Sequence, residues 1–151
     1  MKIKKNLFLK LFTVLCLFIL ISCGSSLERP KSNTDYKNII GKPIKIGNLE
    51  IAQYDYPEVM YWEDAKKACE ALGQGWRLPT KDELNSLYLS KDKIGGFAGN
   101  YYWSSTEDID DNMTNGNYGA WTQGFSNLSN GRTNVAQYND YGHSVRAIRA
   151  F

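Results

Sequence analysis

The feature that most constrains this chain is an apolar run too short to cross a bilayer, followed at once by a cysteine. Lys2, Lys4 and Lys5 precede a stretch from Leu7 to Ile21, and Lys10 shortens its uninterrupted part to Leu11–Ile21. A spanning helix needs about 20 apolar residues, so the run fits the hydrophobic region of an export signal, and residues 1–22 are expected to be removed. That expectation fixes what the rest can use to fold. Cys16 leaves with the signal, Cys23 stands at the cut, and Cys69 alone remains. An exported domain could rely on disulfides, but this one has no intramolecular pair to make, so a packed core must hold it.

The junction Leu20-Ile21-Ser22-Cys23-Gly24 resembles the bacterial lipobox. The resemblance implies cleavage after Ser22 and a Cys23 thiol carrying diacylglycerol, with a fatty acyl chain such as palmitate. Acyl chains contribute about 0.8 kcal/mol per buried CH₂, so several on one residue hold a protein at a membrane without a spanning helix. Gly24 stands where an inner-membrane retention signal usually has Asp, which favours the outer membrane of the cell envelope. The alternative is a plain secretory signal with an incidental cysteine. Residues 23–43 are polar, with Pro30 and Pro43, and read as the lipidated cysteine and a flexible tether. Part of the stretch after Tyr36 could instead pack as a first edge strand.

Charge removes one class of partner. Without the four lysines of residues 1–22, 14 basic residues face 16 acidic ones, a formal charge of −2. No electropositive footprint of a nucleic-acid binder remains. Residues 44–151 are enough for one domain with its own core.

Within them, Ile44, Ile46, Leu49, Ile51 and Ala52 predict one or two short strands broken at Gly47-Asn48. Trp62 to Leu72 predicts a helix whose buried face is Trp62, Ala65, Cys69 and Leu72, with Glu63 and Asp64 in the first turn and Gly73 as C-terminal cap. That places Cys69 in the core rather than in redox chemistry. Thr80-Lys81-Asp82-Glu83 is a capping box opening a second helix, with Leu84, Leu87 and Tyr88 buried and an end near Leu89. Tyr101-Tyr102-Trp103 reads as a short strand and residues 104–120 as a long polar loop. Trp121–Leu128 and Thr133–Tyr138 read as strands joined through Asn130-Gly131, a hairpin signal. Asn139–Gly142 is a second polar loop, and Ser144–Phe151 a terminal strand. Helices followed by a sheet with irregular loops predict an α+β fold.

Several strings resemble a known family: MYWEDAKKAC (60–69), LGQGWRLPTKDEL (72–84), YYWSSTE (101–107), AWTQGFSNLSNG (120–131) and SVRAIR (144–149). They are similar to the Legionella collagen-like protein C-terminal domain family and to its relative, the Fibrobacter succinogenes major paralogous domain family. The resemblance spans Ile44 to Phe151 and implies a C-type-lectin-like fold, related to formylglycine-generating and sulfatase-modifying domains. Trp76 and Leu78 are expected between the two helices, Arg77 on carbonyls at the loop crossing, and Trp103 beneath the sheet. Arg146 and Arg149 are expected to tie down loops or bond carboxylates. Two positions depart from the family pattern. Tyr61 stands where a helix-capping Thr is frequent, and Ala147 where Cys is frequent, so Cys69 lacks that partner.

These readings imply a non-enzymatic, envelope-anchored binding module for a glycan or another extracellular polymer. Loops on a rigid scaffold are where binding groups sit. The candidate surface is Tyr118, Trp121, Arg132, Asn134, Tyr138, Asn139 and Tyr141: aromatic faces stack on sugar rings, and amides both donate and accept. Against this, some of the aromatics are expected in the core and the Asn residues in turns. No Glu-Pro-Asn or Trp-Asn-Asp string of calcium-dependent lectins is present, so no cofactor is assigned. Asp108, Asp110 and Asp111 could offer oxygen ligands to calcium, although a solvated acidic loop is the commoner explanation. A second reading is a structural lipoprotein docking onto another envelope protein. An enzyme like the formylglycine-generating relatives would need reactive cysteines that Cys69 does not provide, and His143, in a turn, is expected to be solvated.

Overall fold

The computed structural model describes residues 36–108, 119–137 and 141–151. These belong to one unit, Asp35–Phe151. Cys23, Asp110, Asp111, Tyr118, Tyr138 and Asn139 therefore lie outside them.

The fold begins before Ile44. Tyr36–Ile39 forms a 3-10 turn, with Ile39 buried and Tyr36 edge-on to Tyr56 at 4.9 Å. The Gln53 and Tyr54 amides donate to the carbonyls of Ile40 and Ile39 at 3.0 Å each. The stretch after Tyr36 thus packs on the domain, as a turn rather than an edge strand. Strands β1 (Ile44–Ile46) and β2 (Leu49–Ile51) follow, paired antiparallel around Gly47-Asn48, with Gly47 in the left-handed region that glycine tolerates. Helix α1 is Trp62–Ala71. Its N-cap, Tyr61, makes no side-chain capping bond, as a phenol in place of Thr predicts. Helix α2 is Lys81–Leu89, and its capping box is complete: Glu83 N–H donates to Thr80 Oγ1 at 3.2 Å, and Thr80 N–H to Glu83 Oε2 at 2.8 Å. A single turn, α3 (Lys91–Ile94), follows.

Strands β3 (Tyr101–Asp108), β4 (Gly119–Gly124) and β5 (Thr133–Gln137) make one antiparallel sheet in that order. The other sheet, order β1-β2-β6, is closed by β6 (Ile148–Ala150), so both ends of the described fold meet in it. The result is an α+β fold with two small antiparallel sheets.

Residues 104–108 are strand, not loop. Their polar composition conceals this because the pairing with β4 shifts register between Trp103 and Glu107. The polar groups of the irregular stretch find partners: Trp62 Nε1 donates to Ser104 O at 2.7 Å, and Ser105 N–H to Pro79 O at 2.7 Å. β4 ends at Gly124 rather than Leu128, since the chain turns through Ser126–Ser129 with Ser129 N–H on Ser126 Oγ at 2.9 Å. Of the terminal stretch, only Ile148–Ala150 pairs in a sheet. Residues 144–148 are all buried, and their backbone bonds run to Tyr101, Trp103, Ala52, Tyr56 and Arg77.

The core has two parts, and adjacent β3 residues separate them. Trp103 joins the cluster of α1 with Trp62, Ala65, Cys69, Trp76 and Leu78, while Tyr102 joins that of α2 with Leu84, Leu87, Phe125 and Ile148. Successive strand residues point to opposite faces, so the two helices cover opposite sides of the β3-β4-β5 sheet. Trp76 and Leu78, expected between the helices, belong to the cluster of α1, while the buried residues of α2 belong to the other.

Candidate ligand-binding surface

The register of the larger sheet places its open end. Asp108 pairs with Gly119, and Gly119 with Gln137, so these three residues lie side by side where the described chain breaks off toward residues 109–118 and 138–140. Tyr118 immediately precedes Gly119, and Tyr138 immediately follows Gln137. The two polar segments singled out from the sequence are therefore attached at one end of one sheet.

The other candidates are spread out. Arg132 is exposed beside the hairpin turn, where its carbonyl accepts from Gly124 N–H at 3.0 Å. Five residues of strand at roughly 3.3 Å each separate it from the Gln137 end, about 17 Å. Asn134, also exposed, pairs with Thr122, whereas Trp121 pairs with Val135, so Asn134 and Trp121 belong to opposite faces. Trp121 is half-buried on the α2 side, with Lys81 Nζ 3.1 Å from its ring centroid. One aromatic face is thus already occupied by an ammonium group, an arrangement attractive in its own right. Tyr141 is 74% exposed, and the next residue, Gly142, packs against Val59 and Met60. The structure therefore does not gather Trp121, Arg132 and Asn134 into one contiguous patch.

Three groups of polar residues escaped the sequence reading or turned out differently. The first joins distant loops: the Arg146 side chain is wholly buried, its Nε donates to Asp55 Oδ1 at 2.6 Å, and Nη2 donates to Gly96 O at 2.7 Å. Tyr102 Oη donates to Asp55 Oδ2 at 2.5 Å and accepts from Ala98 N–H at 2.6 Å. Burial and the adjoining Asp55 carboxylate push the Tyr102 phenol far above its ordinary range. Arg146 thus bonds both a carboxylate and loop carbonyls, and Arg149 likewise bonds Glu50 Oε2 through Nε at 2.7 Å. Second, Arg77 divides its bonds between Leu78 O (3.0 Å) and a two-pronged pairing with Glu83 (2.7 and 2.8 Å). Third, His143 is half-buried rather than simply solvated. Its ring lies edge-on to Trp103 at 4.5 Å, its Nε2 is buried with no hydrogen-bond partner among the described residues, and burial lowers its pKa.

Cys69 is wholly buried, and desolvation raises its pKa to about 12, which leaves the unreactive thiol at neutral pH. Among the described residues, no group of three His, Cys, Asp or Glu side chains could hold a metal ion. Asp108 belongs to β3, and its calcium candidates Asp110 and Asp111 lie outside the described residues. No helix among the described residues is long and apolar enough to cross a membrane.

No family model matches the chain, and no curated protein matches it. Among solved structures it is similar to botrocetin, a C-type-lectin-like snake protein, at 14% identity and a TM-score of 0.48, over 74% of this chain and 96% of that one.

Proposed function

We propose that this chain is a non-enzymatic binding domain of C-type-lectin-like fold, held at the cell envelope by lipid on Cys23 and directed at a glycan or another extracellular polymer. The family resemblance of its GWRLPT and YWSST strings belongs to the same reading. The observation that carries it is the alignment of Asp108, Gly119 and Gln137 at one sheet end. That register tethers Tyr118, Tyr138 and Asn139 to adjacent strands of a scaffold fixed from both sides by core. Aromatic faces and amides are the groups that sugar rings and hydroxyls use. Trp121, Arg132 and Asn134 lie away from that end and would form its flank at most.

The test is binding of the mature chain bearing Cys23→Ser to a broad glycan array, with calcium and with chelator. Saturable binding supports the reading, and its dependence on calcium decides the role of the acidic residues 108–111. A folded chain that binds no glycan or polymer overturns it for the ligands tried. A second reading, docking onto another envelope protein, is favoured by the exposure of Val59 (57%) and Tyr141 (74%) around Gly142. A single stoichiometric protein captured from envelope extracts would support it.

A further inference from the structure

His143 is the one histidine of the chain, and the fold sets it where a charge is costly. Its backbone is tied both ways to the segment entering α1: Met60 N–H donates to His143 O, and His143 N–H to Met60 O, each at 3.0 Å. The next residue carries the tie to β3, with Ser144 N–H on Tyr101 O at 2.9 Å and Trp103 N–H on Ser144 O at 3.1 Å. Residues 143 and 144 thus splice the entry to α1 onto β3. Met60 O also accepts from Trp103 Nε1 at 2.7 Å, so the buried indole is fastened to the same splice. The imidazole lies against it, edge-on to Trp103 at 4.5 Å and with its centroid 6.2 Å from that of Tyr101. The ionisable side chains of the elements around it are Tyr101 on β3, Glu58 and Tyr61 beside Met60, and Glu63 and Asp64 in the first turn of α1. Among the described residues no carboxylate forms an ion pair with the ring, and Arg146, three residues on, is engaged by Asp55. Nε2 is buried with no hydrogen-bond partner among them, so an added proton there has nothing to donate to.

We propose that the Met60–His143 splice is an acid-operated latch: on protonation the imidazole leaves Trp103, and the two backbone bonds to Met60 open while the rest of the domain stays folded. Histidine is the side chain whose ordinary range makes such a switch usable near neutral pH. The direction follows from linkage. Burial lowers the pKa of the closed latch below the value of about 6.5 that the ring has when open, so protons favour the open form. The latch is therefore closed above that value. Below it the opening constant rises by up to roughly tenfold per pH unit, until pH reaches the lowered pKa of the closed form. Two bonds to one residue make a small opening unit, whereas Ala52 N–H on Ala147 O and Ile148 N–H on Arg77 O, at 2.9 Å each, hold elements that need not move. Gly142 packs against Val59 in the closed latch, so the exposed surface of Val59 and Tyr141 changes shape when it opens. The inference rests on neither the glycan reading nor the docking reading.

The experiment is amide hydrogen exchange followed by NMR from pH 7.5 to 5.5, on the mature chain bearing Cys23→Ser, with the His143 ring titrated in the same samples. The ring midpoint should fall below about 6.5. The Met60 and His143 amides should exchange through an opening that low urea does not affect, and faster than those of Ala52 and Ile148. Their protection should drop by up to roughly tenfold for each pH unit below about 6.5, and this drop should vanish in His143→Phe. Three results each overturn the inference: a ring midpoint at or above about 6.5, Met60 and His143 amides that open only together with Ala52 and Ile148, or the same pH response in His143→Phe.

Discussion

Arg146 and Asp55, 91 residues apart in sequence, form a 2.6 Å ion pair in which the arginine side chain has no exposure at all. Around that pair the carbonyls of Ala52, Gly95 and Gly96 are gathered as further acceptors, so one guanidinium ties the loop after β2 and the loop after α3 to the terminal stretch. Removing one partner leaves an uncompensated buried charge. Asp55→Asn is therefore expected to cost about 3–5 kcal/mol, and the double variant Asp55→Asn/Arg146→Met less than the sum of Asp55→Asn and Arg146→Met. Urea unfolding of all four proteins checks this, and strict additivity would contradict it.

His143 makes stability depend on pH in a window of its own. Burial lowers its folded pKa below the unfolded value of about 6.5, so protonation favours the unfolded chain. Its contribution is present above that unfolded value and is lost as pH falls through the lowered folded pKa. The carboxylates lowered by arginine partners, Glu83 by Arg77 foremost, act in the same direction but only below about 4.5. Unfolding midpoints measured at pH 7.5 and 5.5 should differ more in the wild type than in His143→Phe. Equal differences would remove His143 from the account.

The capping box at Thr80 offers a smaller, local test. Thr80→Ala removes the acceptor for Glu83 N–H and should destabilise by about 1 kcal/mol. Glu83→Gln should cost more than a surface change does, because it also loses the two-pronged Arg77 pairing. Chemical denaturation of the two variants gives the order directly.

Cys69 should ignore thiol reagents until the domain opens. With its pKa raised to about 12 by burial, labelling by a disulfide reagent in the native state should be slower than that of the unfolded chain by the opening equilibrium, and should speed up with denaturant as that equilibrium does. A native-state rate close to that of the unfolded chain would show an accessible thiolate.

What the sequence disclosed and what it concealed have physical reasons. α1 and α2 are legible because their boundaries carry local chemistry: acidic residues in the first turn, a capping box, and a buried face at helical spacing. The hairpin is legible from Asn130-Gly131, both of which adopt positive φ. Residues 104–108 read as loop because Ser-Ser-Thr-Glu-Asp has no apolar alternation, and the strand resumes only where Glu107 and Asp108 pair at long range with Ala120 and Gly119 of β4. Arg146 could be assigned a carboxylate partner, yet nothing local identifies Asp55 or announces full burial. The candidate binding residues are recognisable in the sequence by type alone. Register then separated Trp121 from Asn134, since a residue's face depends on strand pairing, which a single sequence does not display.

The most direct measurement is the affinity of the mature Cys23→Ser chain for whichever array glycan it retains, compared with Tyr118→Ala, Tyr138→Ala and Arg132→Ala. Binding at the sheet end predicts at least a tenfold loss for either tyrosine, on the order of 1.4 kcal/mol, and little change for Arg132→Ala at the far end of β5. Full affinity in both tyrosine variants, with unfolding curves unchanged, would contradict it.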